Sequence, residues 1–361
     1  MRYWIIALLI GCNQDYNLQG KDSNVGEDED SRPPQGGDDP GQPADPSLTA
    51  SVTGRVCNTA NDGYVVGATA SISYDASGDG STDGVVQDVT DQDGYFLLEG
   101  VPLGQHDILV EKGSFSIEIP VVLDTEGELV ELAEEECLDP GSVEIAVITG
   151  QYDSIGDILR GLALDFDTYN GINNQYLSLL NDPAKMADYD IIFFNCGMSD
   201  TWRPNAGTIG QNVADYVRQG GSIYASDWAF TIYEAAFPDA VDFYGNDQRL
   251  EEVAVGVSGN LQADVLNSNF QAALGSSTAS LYYDLDAWAV PIAGGSSVEV
   301  LIQGDAVALD LWTFSYETVR NAPLALRLEK GDGVAIYTSF HNENQITVDM
   351  ERLLEEIIYS L

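Results

Sequence analysis

The chain has 361 residues, of which 14 are Lys or Arg and 59 are Asp or Glu, so its formal net charge at pH 7 is −45. A surface this acidic is repelled by nucleic acid and by anionic lipid, which excludes nucleic-acid binding as its function. The length is sufficient for two globular domains. The acidity favours solubility, divalent cations or a saline medium, and composition does not choose among these.

The first twelve residues have the composition of an export signal. Arg2 precedes an apolar run at residues 4–10, which is too short to span a bilayer as a helix because spanning takes about 20 residues. Residues 9–12 (LIGC) resemble a bacterial lipobox, which implies a lipidated Cys12 and a protein held in the cell envelope. Asn13 follows the cysteine, so an outer-membrane location is the expectation. The alternative is a buried N-terminal strand that contains a cysteine by chance.

The segment after the lipobox is predicted to be an extended, disordered tether. It contains almost no apolar side chains and is dense in Gly, Pro, Asp and Glu. Such a segment buries too little apolar surface to fold, and its negative charges repel one another.

The first folded domain is predicted to be a small antiparallel β-sandwich. Short segments that alternate polar and apolar side chains recur at regular intervals, with Gly-rich turns between them and no helical period. Short strands at this spacing are typical of a sandwich. The predicted strands include residues 51–56, 70–74, 95–98 and 107–110.

Four motifs occur in a specific order within this region: VTGRV at 52–56, VGA at 66–68, TDQDGYF at 90–96 and GVPLG at 100–104. Together they resemble the carboxypeptidase regulatory-like domain, a transthyretin-like β-sandwich. The resemblance covers roughly residues 50–132. It implies a non-catalytic spacer or adhesion module attached to another domain.

A loop inside the sandwich, residues 75–84, is similar to the first half of a calcium loop. Gly80 occupies position 6, where an EF-hand makes its sharp turn, but Val86 stands at position 12 in place of the bidentate Glu. A looser, thrombospondin-like Ca²⁺ site is therefore the closer analogy. The alternative is a solvated acidic turn, since Asp and Gly are common turn residues. The oxygen-bearing side chains at loop positions 1, 3, 5 and 9 are Asp75, Ser77, Asp79 and Asp83.

Three cysteines remain in an oxidising compartment once Cys12 is assigned to the lipid. Cys57 follows the first predicted strand of the sandwich and Cys137 follows the last. We therefore predict a disulfide between Cys57 and Cys137, which leaves Cys196 unpaired.

The second domain begins at Ser142 and alternates apolar strands with amphipathic helices. This alternation predicts an α/β, flavodoxin-like domain in which a parallel sheet has helices on both faces. The predicted strands are 143–149, 189–195, 222–226, 298–302 and 333–340, and the predicted helices are 153–164, 209–218 and about 345–359.

Four segments of this domain carry a family resemblance: YDIIFFN at 189–195, VRQGGSI at 217–223, APLAL at 322–326 and GDGVAIYTSFH at 331–341. They resemble the class I glutamine amidotransferase-like superfamily, nearest its trehalose-utilisation-protein branch. Enzymes of this superfamily place a nucleophilic cysteine in a Gly-x-Cys-x-Gly elbow after the strand that follows the Gly-Gly turn. Residues 224–230 (YASDWAF) occupy that place here, and the lack of a cysteine and of flanking glycines argues against amidotransferase activity.

Cys196, Asp227 and His341 are the candidates for chemistry. Each is predicted at or near the carboxyl end of a parallel strand, where open α/β sheets form their ligand crevice. A cysteine, a histidine and an acid can form a nucleophilic constellation. The alternatives are a buried structural cysteine and an Asp227 that only caps the following helix. A His-rich metal site is not expected, because His106 and His341 belong to different domains.

Aromatic side chains offer a second kind of site. Tryptophans and many tyrosines suit stacking on sugar rings in an exposed crevice, although most aromatic side chains of such a fold lie in the core. The trehalose-utilisation resemblance implies the same ligand class. The tryptophans considered are Trp202, Trp228, Trp288 and Trp312.

The sequence therefore predicts a cell-envelope lipoprotein that acts by binding rather than by catalysis. Its lipid anchor attaches it to the membrane, its partner is a carbohydrate or another envelope protein, and no cofactor other than Ca²⁺ is expected. The alternatives are a hydrolase or transferase acting on a glycan or amide through the three candidate residues, and a structural surface module stabilised by calcium. The predicted segments are the signal and lipobox at 1–12, the tether at 13–48, the sandwich at 49–139 and the α/β domain at 142–361.

Overall fold

The computed structural model of the protein describes residues 47–60, 62–247, 249–342 and 346–361. The predicted export signal, the lipobox with Cys12 and nearly all of the predicted tether lie outside the described residues. No helix within these ranges combines the length and the apolar composition that crossing a membrane requires.

Two four-stranded sheets form the first domain. Its strands are β1 (Thr49–Cys57), β2 (Thr69–Tyr74), β3 (Gly84–Val89), β4 (Tyr95–Pro102), β5 (Gly104–Lys112), β6 (Phe115–Leu123), β7 (Leu129–Glu131) and β8 (Glu136–Cys137). One sheet has the order β4-β1-β7, with β8 also paired to β1, and the other has the order β3-β2-β5-β6. Alternate side chains of β1 are buried between the two sheets, as the alternating pattern predicts.

The prediction of an antiparallel sandwich needs one correction. Strands β7 and β8 both run parallel to β1. The chain reaches β7 from the opposite sheet, so no hairpin forces it to run antiparallel. The structure joins Cys57 and Cys137 in the predicted disulfide, where β8 pairs with the end of β1.

The second domain contains the remaining strands and the α-helices. Its first half comprises β9 (Ile145–Ile148), α1 (Ile155–Gly161), β10 (Asp167–Tyr169), α2 (Leu177–Leu180), α3 (Pro183–Met186), β11 (Ile191–Phe194), α4 (Ala206–Arg218), β12 (Ser222–Ser226) and α5 (Phe230–Ala236). Its second half comprises β13 (Val241–Phe243), α6 (Leu250–Val253), β14 (Ala254–Gly256), β15 (Gly259–Val265), α7 (Ser268–Leu274), β16 (Thr278–Tyr283), β17 (Trp288–Ala289), β18 (Pro291–Gly294), β19 (Val298–Asp310), β20 (Ser315–Lys330), β21 (Gly333–Thr338) and α8 (Val348–Tyr359).

Eleven of these strands form one mixed sheet. The order is β10-β9-β11-β12-β21-β20-β19-β14-β17, with β15 paired to β19 and β16 paired to β15. The strands from β10 to β21 in this order run parallel, as predicted. The others join antiparallel, which corrects the prediction of a purely parallel sheet. Strands β19 and β20 form a long hairpin, and a short turn can join only antiparallel neighbours.

The parallel strands are covered by helices on both faces. Ile145 and Val147 of β9 belong to the hydrophobic cluster that includes α1 and α8, whereas Ala146 and Ile148 belong to the cluster that includes α4 and α5. Burial on both faces explains why β9 and β11 are apolar at every position.

The last helix joins the two domains. Thr347 caps α8 by accepting a hydrogen bond from the Met350 amide at 3.0 Å. Near the other end of the helix, Glu356 pairs with Lys112 of the sandwich, with 2.7 Å between Nζ and Oε1. The Tyr359 hydroxyl lies 2.8 Å from Oγ1 of Thr59. The sandwich core and the α1–α8 face of the sheet consequently form one continuous cluster.

Candidate functional site

Four polar side chains meet at the carboxyl edge of the parallel sheet. Asp153, Cys196, Asp227 and His341 follow the ends of β9, β11, β12 and β21, which are consecutive neighbours in the sheet. Parallel neighbours end at the same edge, so residues far apart in sequence come together there. The sequence analysis named the last three. It missed Asp153, although this residue follows its strand in the same way.

Asp227 forms the elbow between β12 and α5. Its φ of 45° lies in the left-handed region, which is rare for a residue other than glycine and is concentrated at functional sites. Its Oδ1 accepts a hydrogen bond of 2.6 Å from the Ala289 amide, and its Oδ2 faces Cys196 and His341. The carboxylate is thus directed at these three groups and not at the N–H groups of the following helix, which corrects the helix-cap alternative.

Cys196 is a buried thiol. Its Sγ lies 3.3 Å from Oδ2 of Asp227 and donates a hydrogen bond to it, and the residue is 1% exposed. Burial raises the pKa of the Cys196 thiol well above its ordinary value, and the charge of Asp227 raises it further. The thiol is therefore protonated at neutral pH, whereas a cysteine nucleophile acts as the thiolate.

His341 completes the floor of the site, and Asp153 is joined to the end of β12 through Ser226 without lining the cavity. Nε2 of His341 lies 3.6 Å from Oδ2 of Asp227. Burial lowers the pKa of His341, but the hydrogen bond to Asp227 and the charges of Asp153 and Asp227 raise it more, so the net shift is upward. Burial raises the pKa of Asp153, whose Oδ2 accepts a hydrogen bond of 2.6 Å from Ser226. The Ser226 hydroxyl in turn accepts a hydrogen bond of 2.9 Å from the Cys196 amide, which links the ends of β11 and β12.

A cavity of about 210 Å³ lies above this floor. The rings of Tyr283 and Trp288 stack on its wall with centroids 4.1 Å apart, and Tyr152 meets Trp228 edge-on at 5.4 Å. The Trp228 indole donates to the Ala287 carbonyl at 2.8 Å. Besides Cys196, Asp227 and His341, the lining consists of Tyr152, Trp228, Tyr283, Leu285, Asp286, Ala287, Trp288 and Ser339.

The sequence analysis missed most of this wall. Residues 283–289 contain no periodic pattern, because they connect a strand to a two-residue strand through an irregular turn. Of the tryptophans considered for stacking, Trp228 and Trp288 line the cavity. Trp202 is buried in the core and Trp312 lies exposed in the turn between β19 and β20.

The loop considered for calcium connects β2 and β3. The Asp75 carboxylate accepts hydrogen bonds from the amides of Gly78 and Gly80 at 2.7 and 2.6 Å. The Asp83 carboxylate accepts a hydrogen bond from the Ser77 amide at 2.8 Å. Oδ1 of Asp79 accepts the Ser81 amide at 2.8 Å. These are the local hydrogen bonds of Asx-type turns. A Ca²⁺ ion bound by Asp75, Ser77, Asp79 and Asp83 stays a prediction.

Comparison with known proteins gives only weak similarity. No protein-family model and no curated protein matches the chain. A protein from Thermoplasma acidophilum, provisionally assigned as part of a GMP synthase, is 12% identical, covers 60% of this chain and 92% of its own, and has a TM-score of 0.41. A glutamine amidotransferase from Thermotoga maritima is 10% identical, and the match covers 55% of this chain and 75% of that protein with a TM-score of 0.36. A chain of PurLQS from the same organism is 12% identical, and the match covers 60% of this chain and 97% of that chain with a TM-score of 0.38. Similarity at this level assigns neither a family nor an activity.

Burial of the thiol leads to a direct prediction. In the folded protein with a chelator present, Cys196 should react with iodoacetamide at least about 100-fold more slowly than in denaturant, because reaction requires both exposure and a thiolate. The measurement is mass-spectrometric labelling of the full chain carrying Cys12→Ser, in which Cys196 is the only cysteine outside the disulfide. Rapid labelling in the native state, with an apparent pKa below that of a free thiol, would contradict this picture and favour an activated nucleophile.

Proposed function

We propose that this chain is an envelope-anchored lipoprotein whose α/β domain binds a small polar ligand, with carbohydrate as the ligand class, and does not hydrolyse glutamine. The observation that carries the proposal is the residue at the elbow. Asp227 belongs to the segment, residues 224–230, that stands where the superfamily that the sequence resembles has its cysteine elbow, and this segment contains no cysteine. The Asp227 carboxylate accepts hydrogen bonds from the Ala289 amide and the Cys196 thiol, and this nearby cysteine is buried.

The cavity walls support a carbohydrate ligand. Sugar rings combine apolar C–H faces with a rim of hydroxyl groups, and aromatic side chains with a few polar groups suit both. The indole N–H groups of Trp228 and Trp288 are bonded to the carbonyls of Ala287 and Val257, so these side chains contribute apolar ring surface to the cavity. The polar contribution comes from Asp286 and from the floor.

The test is calorimetric titration of the full chain with a panel of neutral mono- and disaccharides that includes glucose and trehalose. At least one sugar should bind, and Trp228→Ala should weaken that binding by at least about tenfold because it removes a ring surface, a loss of about 1.4 kcal/mol. The matched control is Trp312→Ala, which removes a tryptophan that is 91% exposed and outside the cavity and should leave the affinity unchanged. No binding by any sugar, or equal affinity in Trp228→Ala and wild type, would count against the proposal.

A hydrolase or transferase is the second candidate. The observation that favours it is the convergence of Cys196, Asp227 and His341, whose potential ligand atoms all lie within 4.8 Å of one another. Turnover of glutamine or of nitrophenyl glycosides, lost in both Cys196→Ala and His341→Gln, would support this candidate over binding alone.

The location of the protein is part of the proposal. The lipobox at residues 9–12 supports attachment through lipid on Cys12, and the acidic composition of the following segment supports a tether that keeps the folded domains away from the membrane surface. Another envelope protein is the alternative partner to a carbohydrate.

A further inference from the structure

Three different metal-ligating side chains share the floor of the cavity. Cys196, Asp227 and His341 are 1%, 5% and 3% exposed, and their ligand atoms lie within 4.8 Å of one another. The geometry points to a zinc ion bound by Cys196 Sγ, Asp227 Oδ2 and His341 Nε2, with its fourth coordination position open to the cavity.

The two distances from Asp227 to the other ligands match those that a tetrahedral zinc ion requires, and the remaining pair, Cys196 and His341, lies within 4.8 Å. Zinc binds sulfur at about 2.3 Å, imidazole nitrogen at about 2.0–2.1 Å and carboxylate oxygen at about 2.0–2.2 Å, which places ligand atoms about 3.4–3.6 Å apart. Here Oδ2 of Asp227 is 3.3 Å from Sγ of Cys196 and 3.6 Å from Nε2 of His341. Shifts of a few tenths of an ångström would therefore bring these pairs to bonding geometry.

The surroundings hold the ligands in this arrangement. The Ala289 amide bonds Oδ1 of Asp227 at 2.6 Å, which leaves Oδ2 for the ion. The Ser226 hydroxyl accepts a hydrogen bond of 2.9 Å from the Cys196 amide and donates one of 2.6 Å to Oδ2 of Asp153. These two bonds hold the backbone that carries the thiol in place. Hydrogen bonds of this kind orient the ligands of known metal sites.

The donor set selects the metal. Sulfur and imidazole ligands favour zinc, whereas calcium and magnesium prefer oxygen ligands. On binding, the Cys196 S–H bond breaks, sulfur keeps the electron pair for the metal and the proton passes to solvent. Nε2 of His341 also gives up the proton that it directs at Asp227, so its lone pair binds the metal while the neutral ring carries its remaining proton on Nδ1. A thiolate, a carboxylate and a neutral imidazole then compensate the two positive charges of zinc, so the buried site carries no net charge.

This inference does not require a carbohydrate ligand, because the three donors come from the protein itself. Three protein ligands and one open position are the pattern of zinc sites that take water or a ligand atom as the fourth donor. A hydroxyl or carboxylate group in the cavity is the chemistry that fits this position.

Cobalt(II) is the probe for the test, because it replaces zinc and its thiolate bond gives a charge-transfer absorption band. The full chain carrying Cys12→Ser is first dialysed against a chelator. Cobalt should then produce the thiolate band with a stoichiometry of one, and one equivalent of zinc should abolish it. Cys196→Ser should remove the band, and Asp227→Asn and His341→Gln should weaken cobalt binding by at least about 100-fold.

Two control variants alter similar residues outside the ligand set. His106→Gln changes the other histidine of the chain, which lies in the sandwich, and Asp264→Asn changes an exposed acid of β15 that does not line the cavity. Both should retain the band. Absence of the band in natively folded protein, or unchanged cobalt binding in Cys196→Ser, would overturn the zinc site. Trp228→Ala should bind sugar at least about tenfold more weakly and keep the cobalt band, so failure of the carbohydrate proposal is distinguishable from failure of the zinc proposal.

Discussion

Lys112→Met is expected to lower the unfolding free energy by about 3–5 kcal/mol, because it leaves the buried carboxylate of Glu356 without its partner. The Lys112 and Glu356 side chains are 5% and 6% exposed, and the ammonium group also donates to the Val66 carbonyl at 2.8 Å. Replacing both members of the pair, as Lys112→Met with Glu356→Leu, should recover most of this loss, since two apolar side chains leave no charge to desolvate.

Chemical denaturation of the full chain measures both effects. Arg320→Met is the matched control, because it breaks an ion pair with Asp305 in which the side chains are 75% and 44% exposed. Exposed pairs contribute about 0–1 kcal/mol, so this variant should change little. A small effect of Lys112→Met would show that the pair is solvated. A double variant as unstable as the single one would show that the loss does not come from the unpaired charge of Glu356.

The same pair gives stability a pH dependence of known sign. Burial raises the pKa of Glu356, although pairing with Lys112 opposes this shift. The folded protein therefore holds this proton more tightly than the unfolded chain does, so the contribution to stability decreases as the pH rises through the raised pKa. Glu356→Gln should remove this component of the pH profile.

Removal of the disulfide is expected to be comparably severe. The variant with Cys57→Ala and Cys137→Ala should lose about 2–5 kcal/mol of unfolding free energy. The bond closes a loop with a sequence separation of 80, and β8 is a two-residue strand that pairs with the end of β1. In the chain-entropy account, a loop of this length gives the unfolded chain much freedom once the bond is absent.

A reductant provides the internal control for this prediction. Reduction should lower the denaturation midpoint of the chain carrying Cys12→Ser to that of the disulfide variant, and it should leave the midpoint of the variant itself unchanged. Equal midpoints for the oxidised and reduced protein would mean that the pairing around β1 supplies the stability without the bond.

The site residues named from the sequence follow strands that are the easiest to predict. Strands β11 and β12, which precede Cys196 and Asp227, are buried at every position, and a run of mostly apolar side chains bounded by Gly or Asn is a strong signal. Once these strands are taken as parallel neighbours, Cys196 and Asp227 must lie at one edge. The pKa of the Cys196 thiol was beyond prediction, because it depends on burial and on a carboxylate from another strand.

The antiparallel half of the domain was predictable only in fragments. Residues 298–302 gave a strand signal, but β19 continues to Asp310. Strands β13, β14, β17 and β18 have two to four residues each, which is too few to show a period. Strands β15 and β16 do alternate buried side chains with more exposed ones, but the sequence-based prediction assigned neither of them. The Ala289 amide that donates a hydrogen bond to Asp227 belongs to β17. Because every residue except proline has a backbone N–H, the sequence does not indicate which one will bond to Asp227. The periodicity of side chains indicates a strand but not whether it runs parallel or antiparallel to its neighbour, so the antiparallel part of the sheet was not predicted.

The position of α8 has a consequence for cooperativity. The helix follows the loop that contains His341, covers one face of the sheet and buries Glu356 and Tyr359 against the sandwich. The architecture changes near residue 140, but the sandwich and the α/β domain share one hydrophobic core. We therefore expect the two domains to unfold together, because their common interface contributes to the unfolding free energy of both. Asp349 of α8 accepts a hydrogen bond from the Ser280 amide of β16, whose last residue, Tyr283, lines the cavity. The sandwich, which packs against α8, therefore contributes to the stability of the cavity wall although every lining residue belongs to the α/β domain.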